Sequence, residues 1–336
     1  MISRPFAVGL AGPALEPAER EILVAHPPWG VILFQRNIED GERLAKLIAA
    51  LRDLGVRHLL LDHEGGPVDR LGDLLGPSPS LRRAVRMAAA RRAGAAAGAA
   101  LATFGFDVDL APVVDRAVEG AGALVLGERS ASADPGEIIR ATGEFLDGLH
   151  SMGVGGCLKH FPGLGRARLD THRSLPIVPH DAAEEVLDLA PFRALMDRAR
   201  AIMISHAAGP DGVPASLSRA RATVLLRGGL GFGGAAFSDD LEMGALEAFG
   251  EMPERCARAA EAGCDLLFVC RRIQTYPACV EAVERLVPRF RRDEATRRLD
   301  AYAAHLESLR RAAGPTLITL AAIRAELRGS RLRGGP

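Results

Sequence analysis

Several things are missing from this 336-residue chain. Its five cysteines, Cys157, Cys256, Cys264, Cys270 and Cys279, are odd in number and show no C-x-x-C spacing. That removes a disulfide framework and a thiol-clamped zinc site from consideration. Cys157, Cys264 and Cys270 lie in apolar runs, as buried thiols of a reducing compartment do. The 42 basic and 42 acidic side chains cancel, so no overall field draws the chain to nucleic acid or to an anionic membrane. No stretch reaches the roughly 18 apolar residues that span a bilayer. Residues 1–11 lack a long apolar core and run quickly into Pro13, unlike a signal peptide. A cytoplasmic location is the expectation. No internal repeat and no linker interrupts the sequence, and no H-E-x-x-H or related spacing groups His160, His172 and His206 as metal ligands.

What is present is an alternation. Apolar residues are 48% and charged residues 25% of the chain, a globular profile. Eight short apolar runs read as strands: 6–11, 30–35, 58–62, 106–111, 154–160, 201–206, 234–239 and 264–270. Continuous rather than alternating hydrophobicity suits parallel strands buried on both faces. Helices are expected between them at 40–54, 81–104, 134–152, 181–199, 217–226 and 253–262. Asp40 is a plausible N-cap, and Asp134 with Pro135 and Glu137 makes a good helix start. The Ala-rich 81–104 segment, with Arg on one side, reads as a surface helix. Eight strands alternating with helices favour one closed (β/α)8 barrel of residues 1–327 over an open sheet. Residues 328–336 read as a disordered basic tail.

A barrel of this kind works at the C-terminal ends of its strands. Ionisable residues collect there: Asp62, His63 and Glu64, then Lys159 and His160, then His206, then Asp239 and Asp240. Desolvating such groups without partners is costly, so their presence needs a reason. Side chains alternate along a strand, so Asp239 and Asp240 are not both expected to enter the mouth. One would be a nucleophile and the other a helix cap or backbone acceptor; both could equally be caps. The Gly/Pro-rich run from Phe161 to Gly165 reads as a loop above the barrel. It leads to Asp170-Thr171-His172, where the Asp can orient the imidazole and raise its pKa; a chance pair of surface residues is the plain alternative. Asp62 and Arg70, flanking Gly65-Gly66, suit paired contacts to sugar hydroxyls or, more plainly, a local ion pair. Arg129 alone would pass for an exposed loop residue.

Together these segments resemble glycoside hydrolase family 3, in particular its single-domain β-N-acetylglucosaminidases of cell-wall recycling. The pieces are GVILFQRN (30–37), LDHEGGPVDR (61–70), DLAPVVD (109–115), GERS (127–130), 159–165 with Asp170–His172, FSDDLEM (237–243) and AGCDLLFVC (262–270). The resemblance implies a (β/α)8 barrel that uses no metal or organic cofactor. It implies Asp239 as nucleophile and His172 as general acid/base, with Asp170 as its partner. Asp62, Arg70, Arg129, Lys159 and His160 fall on the family's sugar-binding positions. The implied reaction is retaining removal of terminal β-linked N-acetylglucosamine from muropeptides, with no nucleic-acid partner and the oligomeric state open. Three positions depart from the family pattern: Leu164 where His is common, Pro67 where Arg is usual, and His63 where Gln is usual. Phosphorolysis in place of hydrolysis and a non-catalytic muropeptide-binding barrel remain alternatives. Catalysis by the substrate's own acetamido group is disfavoured, because no adjacent Asp-Glu pair of the kind it uses is found.

Overall fold

The computed structural model describes residues 4–118, 126–167, 175–179 and 181–314. Eight parallel strands form one sheet: β1 Arg4–Gly9, β2 Pro28–Leu33, β3 His58–Leu61, β4 Val108–Asp109, β5 Leu158–Phe161, β6 Ala201–Ile204, β7 Ala235–Asp240 and β8 Leu266–Val269. Their order is β4-β3-β2-β1-β8-β7-β6-β5. The two ends of that order meet. Val108 bridges Gly155 and Val113 bridges Lys159, both parallel, and the Cys157 N–H donates to the Ala111 carbonyl at 2.8 Å. The sheet therefore closes into a (β/α)8 barrel, with all eight expected strands in place.

Alternation along each strand sorts two cores. Val31, Leu33, Leu59 and Leu61 point outward into the layer under the helices. Ile32 and Leu60 point inward and meet Trp29, Met203, Phe237 and Phe268 inside the barrel. Both faces are apolar, which is why the runs carry no polar alternation. The bottom of the barrel is plugged by the helix Arg289–Ala313. Its Tyr302 lies 6.1 Å from the Trp29 ring and donates to the Gly156 carbonyl at 3.0 Å.

The helix expectations hold where capping was clear. Asp40 accepts from the Arg43 N–H ahead of Gly41–Asp53 and Asp134 from the Glu137 N–H ahead of Pro135–Ser151; the expected 181–199 helix forms as Ala182–Ala199, with Asp181 as a cap that was not foreseen. The 253–262 segment is helical as Met252–Ala262, whereas the 217–226 segment begins later, as a π-wound turn at Ala220–Gly229. The 81–104 expectation needs two corrections. It is split into Leu81–Arg86 and Ala90–Phe104, with Ala88 between them at φ 49°. Nor is its second half a surface helix. A β-carbon on Gly94 would sit 2.0 Å from the Phe145 carbonyl oxygen, and one on Gly148 2.0 Å from that of Arg91. Bare backbone lets the two helices touch, so the small residues serve packing rather than helix propensity. The helices Pro17–Ala25, Tyr276–Leu286 and Arg289–Ala313 were not foreseen. Residues 328–336 lie outside the described residues, as does the Asp170-Thr171-His172 segment.

Candidate active site

At the C-terminal mouth a cavity of about 300 Å³ is lined by Asp62, Arg70, Arg129, Lys159, His160 and Asp239, with Arg36, Leu164, Asp240 and Arg271 among the rest. Six of the eight expected site residues thus share one cavity; Asp170 and His172 belong to the part not described.

The turn after β3 begins the construction. Gly65 and Gly66 take φ 77° and 59°, and a β-carbon on Gly65 would stand 2.2 Å from the Pro79 carbonyl oxygen. Only glycine fits such a turn, which sends Asp62 and Glu64 toward the neighbouring strand ends. Lys159 meets them from β5, its Nζ 2.6 Å from Asp62 Oδ1 and 2.5 Å from Glu64 Oε1. Arg129 grips Glu64 with two bonds of 2.8 Å. Burial alone would push the Glu64 pKa up, but the two cations beside it outweigh that and hold it well below the carboxylate range. Burial likewise opposes the charge on Lys159, yet Asp62 and Glu64 lift its pKa above the ordinary lysine value. Arg70 stands at the rim, 4.0 Å from Asp62.

His160 is fixed on both sides. Its Nδ1 lies 2.7 Å from Asp115 Oδ2 and its Nε2 3.2 Å from Arg129 Nη2. A guanidinium only donates, so Nε2 accepts and Nδ1 carries the hydrogen donated to Asp115. Asp115 also accepts from the backbone N–H groups of His160 and Leu164, at 3.0 and 2.7 Å. It thereby ties the end of β5 to the start of the Gly/Pro-rich loop. Leu164 joins Val113, Leu126, Ala167 and Ala207 in a small apolar cluster beside the mouth.

Across the mouth β7 ends in the aspartate pair, where the alternation argument fails. Asp239 and Asp240 both line the cavity. The register against β8 slips between Phe237 and Asp240; an extra residue of this kind bends a strand and re-aims the side chains beyond it. The backbone-acceptor half of the expectation is met by Asp240. Asp240 Oδ1 accepts from the Glu242 N–H at 3.0 Å, turning the chain, while Asp239 Oδ1 accepts from the Asp240 N–H at 2.8 Å. His206, buried after β6, donates through Nε2 to the Asp240 carbonyl at 2.8 Å and meets the Ser216 hydroxyl through Nδ1 at 2.8 Å. These contacts steady the strand end.

Burial pushes the Asp240 carboxyl up to about 6, against the pull of the Glu242 N–H. An acid whose folded pKa is raised loses stability as pH climbs from its ordinary value to the raised one, and keeps the full penalty above it. Asp240→Asn retains the acceptor and has no charge to desolvate. Urea denaturation should show the variant gaining more stability over wild type at pH 7.5 than at pH 5. An equal difference at both would mean that Asp240 ionises normally.

Glu64, Asp115, Arg36 and Arg271 were assigned no role from sequence. Glu64 and Asp115 sit inside the LDHEGGPVDR and DLAPVVD segments, so the signal was position in those motifs. Their partners come from other strands, which spacing cannot reveal. Arg36 donates to the Leu10 carbonyl at 2.8 Å and to that of Cys270, holding the ends of β1 and β8.

Ionisable side chains gathered in a cavity at the C-terminal mouth of a (β/α)8 barrel are the layout of an enzyme active site. Residues 9–308 match the Glycosyl hydrolase family 3 N terminal domain. The chain belongs to glycoside hydrolase family 3. It is 38% identical over 278 residues to a β-hexosaminidase of Tolumonas auensis, covering 79% of this chain and 82% of that one. A β-hexosaminidase of Alkalilimnicola ehrlichii is 36% identical over 304 residues, 86% of this chain and 85% of the relative. NagZ from Neisseria gonorrhoeae, solved in complex with N-trifluoroacetyl-D-glucosamine, superposes with a TM-score of 0.82 at 28% identity over 98% of each chain. The protein is a glycoside hydrolase, of the class to which the curated β-hexosaminidases belong.

Proposed function

We propose that the chain is a retaining exo-β-N-acetylhexosaminidase that removes terminal non-reducing N-acetylglucosamine from muropeptides of the N-acetylglucosaminyl-anhydro-N-acetylmuramic acid type, in the cytoplasm. The observation that carries the reading is the mouth itself. Asp239 faces, across one cavity, an ion-paired array of donors and acceptors suited to a single sugar. The β-hexosaminidase relatives and the N-trifluoroacetyl-D-glucosamine complex of NagZ support the choice of sugar. Arg271, 61% exposed at the rim, suits a carboxylate on the aglycone.

Asp62 and Lys159 would bind sugar hydroxyls as acceptor and donor, with Arg70, Arg129 and His160 completing the pocket. Asp239 attacks the anomeric carbon as the glycosidic bond breaks. His172, oriented by Asp170, gives its proton to the departing oxygen. The resulting glycosyl ester is then hydrolysed. His172 takes a proton from water, the water oxygen bonds to the anomeric carbon, and Asp239 leaves as the carboxylate. Two displacements give net retention.

The test is turnover of a chromogenic β-N-acetylglucosaminide against the matching β-glucoside, with and without phosphate. The N-acetyl sugar should be strongly preferred, and phosphate should change neither rate nor product. Release of the sugar 1-phosphate would make the enzyme a phosphorylase, and no turnover at all would favour a binding protein. In His172→Ala, glycosylation of substrates with poor leaving groups should fall by about 10²-fold or more, and good leaving groups should suffer much less. Equal loss for both would remove His172 from the acid role.

A further inference from the structure

A second cavity, of about 330 Å³, opens at the other end of the barrel, where Asp265 leads into β8. We propose that it is a binding site for the phosphate group of a small phosphorylated organic molecule.

Charge is the first argument. Three guanidiniums converge on the single buried carboxylate of Asp265. Arg227 Nη2 lies 2.6 Å from Oδ2, and Arg291 Nη2 and Arg298 Nη1 lie 2.9 and 3.2 Å from Oδ1. With Arg219, Glu261 and Glu294 at the cavity included, four guanidiniums stand against three carboxylates, and the positive excess attracts an anion. Burial lowers the Arg227 pKa against the pull of Asp265, and the neighbouring Arg298 and Arg291 add to the lowering.

Unused donors are the second argument. Arg291 lines the cavity with its side chain only 9% exposed. Its Nε and Nη1, with Nε of Arg227, have no hydrogen-bond partner among the described residues. Buried donors are nearly always satisfied, so such a group calls for a partner. The third argument is the helix that starts there. Arg289–Ala313 opens after Pro288 with no side-chain cap and no acidic residue in its first turn. Its first residues include Arg289, Arg291 and Arg292 instead, cations set against the positive end of a 25-residue helix. The Arg291 and Arg292 N–H groups bond the Pro288 carbonyl, so an anion at this point would offset the repulsion and accept from the N–H groups of the two residues before them.

A tetrahedral phosphate accepts from several guanidinium forks at once, which a lone carboxylate does less well. The cavity leaves room for more than the bare ion, and the Phe290 ring, 69% exposed at its edge, offers a face for an organic portion. Glu261 and Glu294 also line it. Both lie on the exposed side, Glu294 3.9 Å from Arg298, and they would disfavour anions that carry charge along their whole length.

Isothermal titration of the full chain with glucose 6-phosphate and with inorganic phosphate, at ionic strength held constant with sodium chloride, tests this. Glucose 6-phosphate should bind once per chain. The Arg219→Ala/Arg298→Ala variant, which removes only the two more accessible arginines, should bind at least about tenfold more weakly and hydrolyse substrate normally. Saturating N-acetylglucosamine should leave the binding unchanged. Binding that the variant retains, binding displaced by N-acetylglucosamine, or no heat beyond the chloride control would each overturn the proposal. Equal affinity for inorganic phosphate would assign the site to the free ion and overturn the organic ligand. None of these outcomes depends on which glycoside the opposite face cleaves.

Discussion

Asp239→Ala is expected to lower kcat on the order of 10⁴-fold while the barrel stays folded. In the proposed mechanism Asp239 forms the covalent ester, and no neighbour replaces it. Asp240, next in the chain, is committed to the Glu242 N–H and has a pKa raised to about 6 by burial. The structural cost should be small. The Asp239 carboxylate accepts the Asp240 N–H at 2.8 Å at a half-buried position, and one such bond is worth about 1 kcal/mol. Melting by circular dichroism should therefore stay within a few degrees of wild type. Azide offers a second readout, since a small anion entering the vacated space should restore turnover and yield a glycosyl azide of inverted configuration. A folded Asp239→Ala protein with normal turnover would refute the nucleophile assignment.

Lys159→Met is expected to cost about 3–5 kcal/mol of stability, along with activity. Lys159 is almost wholly enclosed and lies between Asp62 and Glu64, and the Glu64 side chain is only 4% exposed. Methionine fills the volume but leaves two carboxylates sharing Arg129 and the more distant Arg70. The pH dependence has a definite sign. Glu64 is held below its ordinary pKa by Lys159 and Arg129, so it stabilises the fold above the carboxylate range and this is lost as pH falls through it. The deficit of Lys159→Met should thus be largest near pH 7 and shrink under acid, as the stranded carboxylates take up protons. Adding Glu64→Gln should recover part of the loss, because it removes one of the stranded charges. Urea denaturation of the single and double variants measures both effects. A deficit below about 1 kcal/mol at pH 7 would show that Arg129 alone suffices for the pair.

Much of this molecule is written locally. The eight strands were legible because each is a short apolar run buried on both faces, and the helices opened by Asp40 and Asp134 because capping acts over three residues. The Arg289–Ala313 helix was missed for a physical reason. Its buried apolar positions, Ala295, Leu299, Tyr302 and Leu306, form a thin stripe among arginines, and its plug role exists only once a barrel bottom exists to fill.

The sequence alone determined the strand and helix alternation, the family, and the strand ends that carry ionisable side chains. Local hydrophobicity, capping and ordered motifs are properties of neighbouring residues, so one chain suffices to read them. Tertiary structure decided how those ends act on one another. It closed β4 on β5, placed Lys159 between Asp62 and Glu64, and fixed the tautomer of His160 between Asp115 and Arg129. It also turned Asp239 and Asp240 into the same mouth, through a register slip that strict alternation forbids. Charge coupling depends on ångströms between residues up to 97 positions apart, and only the folded barrel sets those distances.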